Sequence, residues 1–268
     1  MRKPIFCALL LTAAIGSPAF ADPDDMLRSL CPTRPGMATP PCIVDSGHAL
    51  AELGLVDWTL DKQGSDRTDT VVAGDLLLRF GIDKMSEVQI GLTGFGSVRS
   101  RIGGVVSRVT SIGDMTLAYK RSLMNPDGSG VSVAVQPFVT LPTGGSAIGA
   151  GDWGAGFILP VGAPLTDKIS LEFTPEVDAA VNSSGSGRHF AVSAVEGLSF
   201  TLSSKVSAAL EVQEVHDADP SGHQDHALAG LAVAFQPSSN WQLDMGSIAG
   251  LDRNSPDIEL YVGISRRF

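Results

Sequence analysis

The last stretch of the chain, residues 257–268, constrains the fold more than any other. Its sequence is D-I-E-L-Y-V-G-I-S-R-R-F, in which apolar and polar residues alternate. Side chains of an extended chain point to two opposite faces with a period of two. One face here carries Ile258, Leu260, Val262 and Ile264. The pattern predicts a β-strand with one apolar face that ends on the aromatic ring of Phe268.

This ending resembles the closing strand of bacterial outer-membrane barrels. The resemblance implies an all-β fold, a transmembrane antiparallel up-and-down β-barrel, in contact with outer-membrane lipid. It also implies that Tyr261 and Phe268 form the signal that the barrel assembly machinery reads. Arg266 departs from the pattern, which more often has an apolar or aromatic residue at that position.

The N terminus is predicted to be a secretory signal peptide, residues 1–21. Arg2 and Lys3 precede an apolar run over 5–15, and the small-x-small sequence A-F-A follows at 19–21. A transmembrane anchor would need roughly 20 apolar residues, and this run is shorter. We expect cleavage before Asp22 and export to the bacterial outer membrane.

The composition is consistent with an exported barrel. The sequence contains 30 glycines and 18% charged residues, with a mean hydropathy of +0.17. It is too apolar for an average acidic soluble protein and too evenly polar for helical membrane spans. Its formal net charge is −10. Nucleic-acid binding requires clustered Lys and Arg, so this acidity argues against a nucleic-acid partner.

Residues 22–47 differ from everything that follows, because they are rich in proline and lack alternation. They contain Cys31 and Cys42, the two cysteines that remain after the signal peptide is removed. A close pair of cysteines in an oxidising periplasm indicates a disulfide, which would contribute about 2 to 3 kcal/mol of constraint. We interpret this segment as a periplasmic extension or a plug against the barrel mouth.

From residue 48 onward, short and longer polar connections separate about twelve strand-length pieces, an even number as in bacterial single-chain barrels. The predicted strands are 48–60, 69–80, 85–95, 111–123, 130–141, 150–161, 167–180, 189–201, 205–215, 225–236, 240–249 and 257–268. The longer, external connections are 61–69, 96–110, 142–149, 182–188, 216–224 and 250–256. This arrangement places both termini on the periplasmic side.

One strand breaks the alternation. Glu196 falls in the apolar row of strand 189–201, together with Phe190, Val192 and Leu198. A charged group on the lipid face costs up to a few kcal/mol at the bilayer midplane. The sequence therefore indicates either a bulge that switches the phase of this strand or a misplaced strand boundary.

The polar rows of the strands are expected to face the lumen. The acidic candidates are Glu52, Asp75, Glu87, Asp114, Asp152, Glu172, Glu176, Asp178, Glu211, Asp244 and Glu259, and the basic ones are Arg79, Lys120 and Lys168. These side chains could line an acid-rich passage or a ligand cavity. Alternatively, they could fill the interior as paired polar groups, because a barrel of about twelve strands is intermediate between filled and open. The excess of acids weakly favours a wet interior.

Three sequence pieces allow a narrower comparison. They are Gly113-Asp114 with Thr116-Leu117-Ala118, the run P-F-V-T-L-P-T-G at 137–144, and the closing strand. Together these pieces resemble the outer-membrane β-barrel transporter family labelled putative meta-pathway of phenol degradation, over residues 48–268. The family implies a barrel that moves small, often aromatic, compounds, and it implies no catalytic residues.

The predicted function is therefore passive or facilitated passage of small-molecule solutes through an outer-membrane channel, with no cofactor and no enzyme activity. A structural or surface-adhesion barrel with a filled lumen is the alternative. An outer-membrane acyl hydrolase is a minor one, because His189 follows Ser183, Ser184 and Ser186 closely in sequence. No G-x-S-x-G sequence occurs in the chain.

Two other motifs are given structural interpretations. The sequence at 149–154 matches G-x-G-x-x-G, but a strand-like piece follows where a dinucleotide site would need a helix. The histidines His216, His223 and His226 lie among aspartates in a predicted external loop. Such a tract could bind a metal, although solvation of a loop is the simpler interpretation and no metal site is predicted.

Overall fold

A computed structural model describes residues 27–268, and the predicted signal peptide lies outside them. No helix of membrane-spanning length and apolarity occurs in this range. The strands are β1 (Ala49–Gln63), β2 (Asp66–Asp83), β3 (Ser86–Ile102), β4 (Val105–Ser111), β5 (Met115–Met124), β6 (Ser132–Leu141), β7 (Gly154–Ile158), β8 (Val161–Thr166), β9 (Ile169–Val181), β10 (Arg188–Thr201), β11 (Val206–Asp217), β12 (Gln224–Ser238), β13 (Trp241–Gly250) and β14 (Ile258–Arg267).

The strands close into one antiparallel ring. Closure joins β1 to β14, with Leu50 opposite Arg267 and Leu60 opposite Ile258. Two positions in the ring consist of two segments each, because β4 and β5 both pair with β3, and β7 and β8 both pair with β6 and β9. The ring therefore has twelve strand positions, and the predicted up-and-down barrel of about twelve strands is confirmed.

Proline explains the interruption between β7 and β8. The predicted strand 150–161 begins at Gly154 and loses its regular pairing at Leu159 and Pro160. The register is nevertheless continuous, since Ile158 lies opposite Glu176 and Val161 lies opposite Phe173. Proline has no N–H to donate to a sheet, so the ladder is locally incomplete although the chain continues in the same direction.

Two predicted long connections are wrong. Residues 61–69 contain a two-residue turn between β1 and β2, and residues 96–110 contain a second tight turn at Gly103-Gly104 between β3 and β4. Gly64, Gly103 and Gly104 have positive φ angles of 64°, 56° and 84°, which glycine adopts without steric cost. The polar strand ends resemble loop in sequence, but paired strands extend through them and satisfy their backbone groups.

A bulge explains the mixed pattern of the first strand. The pairing of β1 with β14 shifts between Gly54 and Val56. Leu55 and Val56 are both exposed, at 44% and 46%. An extra residue in one strand moves the following side chains to the opposite face. Glu52 before the bulge and Asp57 after it therefore share the inner face.

Neither explanation offered for Glu196 is correct. Strand β10 begins at Arg188, close to the expected boundary, and its pairing with β9 and β11 continues without a shift. Glu196 lies opposite Phe173 and Val212 and is exposed. The carboxylate is thus on the outer face of a regular strand. Acidic groups cost less there than Arg or Lys.

The closing strand has the predicted apolar row. Leu260 and Val262 are exposed on the outside of the ring, whereas Tyr261 is 8% exposed on the inside. Phe268 follows the strand and is 55% exposed. The guanidinium of Arg266 lies 4.6 Å from the Trp241 ring and 4.5 Å from the Phe268 ring. This cation–π contact gives the irregular Arg266 an aromatic environment.

Among the strands of residues 27–268, β4 pairs only with β3, so its outer end should be dispensable for ring closure. We expect a variant in which Asn-Gly replaces residues 99–108, joining Val98 to Val109, to fold into the closed ring. The measurement is heat-modifiable migration on SDS gels, which distinguishes folded from unfolded barrels. Loss of the folded band would show that the hairpin is required for closure.

Candidate functional site

The N-terminal segment, defined here as residues 28–47, lies inside the ring. Its backbone N–H groups donate to inward side chains: Val44 to Glu87 at 2.7 Å, Thr39 to Thr174 at 3.1 Å and Met37 to Glu211 at 2.8 Å. These three acceptors are on β3, β9 and β11, which lie on different sides of the ring. A segment that contacts all of them must cross the lumen.

A buried charge cluster holds one side of this segment. Arg79 donates to Glu87 through Nε at 2.8 Å and through Nη2 at 3.0 Å, and its Nη1 lies 3.3 Å from Oε1 of Glu52. Lys120 Nζ donates to the backbone oxygen of Pro40 at 3.0 Å and lies 3.9 Å from Glu87. All four charged side chains are fully buried. Buried charges need this degree of pairing, because unpaired ones are strongly destabilising.

The predicted disulfide between Cys31 and Cys42 is present, with a Cα separation of 6.5 Å. Arg79 donates to the backbone oxygens of both cysteines, through Nη1 to Cys31 at 2.8 Å and through Nη2 to Cys42 at 3.1 Å. One guanidinium therefore ties the two ends of the disulfide loop to the barrel wall. Its planar fork of five N–H donors suits this shared role.

The opposite side of the segment is held by acceptors on β11, β13 and β14. Glu211 accepts N–H bonds from Met37 at 2.8 Å and from Ala38 at 2.9 Å. The Tyr261 hydroxyl accepts the N–H of Gly36 at 3.1 Å. Arg34 lies 3.1 Å from Asp244. Several lumen carboxylates therefore face backbone N–H groups of the segment.

Two adjoining cavities lie beside the segment, with volumes of about 220 and 210 Å³. Both are bounded by Phe138, Thr140 and Glu176. The first also reaches Thr33 and Thr39 of the segment, and the second reaches Ala150 in the connection between β6 and β7. The cavities thus extend from the segment to the loop end of the barrel.

Strand β9 supplies the acidic row beside these cavities. Glu172, Glu176 and Asp178 alternate with the exposed residues Leu171 and Val177 and therefore point inward. Another inward pair is formed by Glu259 on β14 and Asp57 on β1, whose carboxyl groups interact with each other. On the same inner face Asp75 accepts the hydroxyl of Thr93 at 2.9 Å.

Asp114 and Asp152 lie at the loop end of the barrel. Asp114 accepts N–H bonds from Gly144 at 2.8 Å and Ala150 at 2.7 Å, which fixes the connection between β6 and β7. The hydroxyl of Thr143 accepts the N–H of Met115 at 2.8 Å. The sequence pieces at 113–117 and 141–144 that carry the family resemblance thus contact each other.

A second contact fixes the same connection to β10. Asp152 is 2.9 Å from Arg188, whose guanidinium lies 3.7 Å from the ring of Trp153. The N–H of Trp153 and the side chain of Arg188 hold the pKa of Asp152 below its usual range. Together with Asp114, this pair holds the connection over the cavities.

The histidines do not form the arrangements considered from sequence. His189 lies 2.7 Å from Asp217 through Nε2 and 3.0 Å from the amide oxygen of Asn182 through Nδ1. Ser183 instead donates its hydroxyl to Asp219 at 3.3 Å. His48 contacts the backbone oxygen of Ser46 at 3.2 Å. A serine nucleophile needs a base within hydrogen-bond reach, and these contacts provide none.

Within residues 27–268, the group with metal-ligand spacing is His189, Asp217 and Asp219, so two aspartates of the loop tract lie beside His189 rather than beside the three loop histidines. Asp219 already accepts bonds from Ser221 and Ser183, which hold the pKa of Asp219 well below its usual range. His216 lies 2.6 Å from Asp225 and stacks on His223 at a ring distance of 6.2 Å. These contacts connect the two ends of the loop between β11 and β12.

Several residues that hold the segment were not singled out from sequence. They include Arg34, Gln242 and Thr174, of which Gln242 donates to the backbone oxygen of Arg34 at 2.7 Å. Gln242 and Thr174 lie in the polar rows of their strands, and this position was the sequence signal that they face the lumen. Their partner was not predictable, because the segment has no periodicity to place it.

A closed twelve-stranded ring with an apolar outside and a polar inside is a β-barrel of the outer-membrane type. Residues 34–268 match the model of the family described as Putative MetA-pathway of phenol degradation. The chain belongs to this family, as the motifs indicated. Nothing among curated proteins matches the sequence.

One solved structure shares the fold, and a second is less similar. The crystal structure of an outer membrane channel from Pseudomonas putida F1 is similar with a TM-score of 0.66 and 15% identity, over 92% of this chain and all of that one (100%). The transport unit of the autotransporter AIDA-I from Escherichia coli has a TM-score of 0.49 and 8% identity, over 82% of this chain and 89% of that one.

We expect Arg79→Met to be strongly destabilising, because it leaves Glu52 and Glu87 buried without their cation. The expected loss of unfolding free energy is about 3 to 5 kcal/mol. Arg67→Met is the matched control, since Arg67 pairs with Asp69 at an exposed site and should cost less than about 1 kcal/mol. Urea unfolding of both variants in lipid vesicles measures the difference. Equal losses would contradict a special role for the buried cluster.

Proposed function

We propose that the protein is an outer-membrane channel for the passive or facilitated passage of small molecules. The observation that carries the proposal is a closed ring whose lumen is occluded by one segment, with cavities on one side of it. The proposal includes export through the signal peptide, cleavage before Asp22, and insertion by the barrel assembly machinery into outer-membrane lipid.

The N-terminal segment acts as the plug in this proposal. Its contacts are mostly hydrogen bonds to charged or polar wall side chains, such as Glu52 with the N–H of Arg34 at 2.9 Å. Each hydrogen bond to a charged group contributes a net of about 1.5 to 3 kcal/mol, because both partners bond to water when they separate. A plug held by polar contacts can therefore leave as water enters, which an apolar plug could not do readily.

The cavity walls favour small solutes with an apolar part. Leu77, Phe138 and Ile158 supply apolar surface, while Thr116 and Thr140 supply hydroxyl groups. Such a wall, apolar with a few polar groups, is typical of small-molecule sites. Passage of aromatic or hydrophobic compounds agrees with the description of the family.

A structural or surface-adhesion barrel with a permanently filled lumen is the second candidate. The observation that favours it is the paired state of Arg79, Lys120, Glu52 and Glu87 around the segment. In that case the segment would be a core element of the barrel rather than a plug.

Single-channel conductance in planar bilayers distinguishes these functions. The mature chain should show low or intermittent conductance, and deletion of residues 22–47 should give stable open steps. A folded deletion variant without current would favour the structural barrel.

A point substitution makes the same test without deletion. A Cβ at Gly81 would collide with the backbone oxygens of Val44 and Asp45, so Gly81→Ala should displace the segment and raise the open fraction. Gly222→Ala is the matched control, because nothing lies within 4 Å of a Cβ there. Equal conductance of the two variants would contradict the plug role.

A further inference from the structure

The two cavities beside the segment share a distinctive charge distribution. Glu176 borders both, and Asp178 borders the second. Neither cavity has a Lys or Arg among its lining residues in the described part of the chain. Each therefore has carboxyl groups without a basic side chain in the same wall.

Three basic groups on the inner side of the barrel are engaged elsewhere. Arg79 is held by Glu87 and Glu52, and Lys120 is held by the backbone of Pro40. Arg188, at the loop end, is paired with Asp152. Two neighbouring carboxylates repel each other, so the pair is stabilised when it shares a proton or binds a cation.

Asp178 is positioned for such a cation. Its Oδ1 atom is buried and accepts no hydrogen bond from an N–H or hydroxyl group within residues 27–268, and its carboxyl group interacts with the carboxyl group of Glu176. Both this atom and the ring of Phe138 occupy the space above Gly156, where a Cβ would collide with them. The absence of a side chain at Gly156 thus brings a carboxylate oxygen that lacks a basic partner against an aromatic ring. A carboxylate and an aromatic ring together form a favourable environment for an ammonium group.

We propose that these cavities bind a small organic amine, with its ammonium group between Glu176 and Asp178. The apolar part of the amine packs against Phe138, Ile158 and Leu77 in the first cavity. The combined space lies within the range of about 300 to 1,000 Å³ of small-molecule sites, so a single-ring amine fits. This inference rests on the proposed channel function, because the cavities would then be a selective binding site along the path of the solute.

Binding tests the site independently of transport. The probes are 2-phenylethylamine, 2-phenylethanol and phenylacetate, titrated calorimetrically into the mature chain in detergent, with heats for empty micelles subtracted. We expect the amine to bind most tightly. Glu176→Gln with Asp178→Asn should weaken amine binding about tenfold or more, which corresponds to the loss of roughly one charged contact.

The matched control is Glu196→Gln with Glu214→Gln, which removes the same number of negative charges from the outer face of the barrel. It should leave amine affinity unchanged. Equal affinity for the three probes overturns the inference, and so does amine binding that survives in the cavity variant or falls equally in the control.

Swelling of vesicles containing the Gly81→Ala chain separates this inference from the proposed function. Faster entry of the amine than of phenylacetate, lost in the cavity variant, supports both. Entry of all three probes at equal rates without amine binding overturns the site and leaves the channel. Exclusion of all three probes despite selective amine binding contradicts the channel and leaves the site.

Discussion

The requirement that every backbone polar group in a bilayer be hydrogen-bonded determines most of this structure. A sheet meets it only by closing, and closure of β1 on β14 removes both free edges. A ring of twelve strands then encloses more space than inward side chains fill completely. The N-terminal segment occupies part of that space, but it is irregular and brings unpaired N–H groups of its own. The wall satisfies these groups with carboxylates and other acceptors, among them Glu211, Glu87, Glu52 and Tyr261.

This requirement changes the meaning of the acidic lumen. The excess of acidic over basic side chains weakly favours a wet interior if each acidic side chain needs a basic one as its partner. Glu211 accepts two backbone N–H groups, and no arginine or lysine among residues 27–268 donates a hydrogen bond to it. A count of charged residues cannot show this pairing, since every residue except proline has a backbone N–H donor whatever its side chain. The carboxylates with the fewest donors, on β9, consequently stand out from the rest.

The alternation of apolar and polar residues allowed the ring to be predicted. The prediction failed where the two faces of a strand do not contact lipid on one side and the lumen on the other. The apolar row of the closing strand and the strand count followed from alternation between lipid and lumen. Beyond the membrane that contrast disappears, so the paired ends of β1 to β4 resembled loops. The bulge at Leu55 exchanges the inner and outer faces within β1. The alternation of apolar and polar residues along this strand is therefore lost. The contacts of the N-terminal segment depend on long-range placement, which a stretch without periodicity cannot specify.

The family motifs were recognisable in the sequence, but their role was visible only in three dimensions. Asp114 accepts the N–H of Gly144 and Thr143 accepts the N–H of Met115, so the start of β5 and the corner after β6 are joined by bonds in both directions. The glycines beside them allow this approach, because a Cβ at Gly144 would collide with the backbone of Gly113. The motif residues thus shape the loop end of the barrel rather than line its wall with reactive groups.

The covalent link between the N-terminal segment and β1 has a kinetic consequence. Cys31 and Cys42 make the middle of the segment a small covalent ring that Arg79 binds as a unit, and the chain continues into β1 through Gly47, whose φ is 75°. A short tether keeps a displaced binding partner at an effective concentration of the order of millimolar. An ejected segment would therefore remain beside its own pore, and reclosure would be a first-order process, independent of how many copies of the protein the membrane contains.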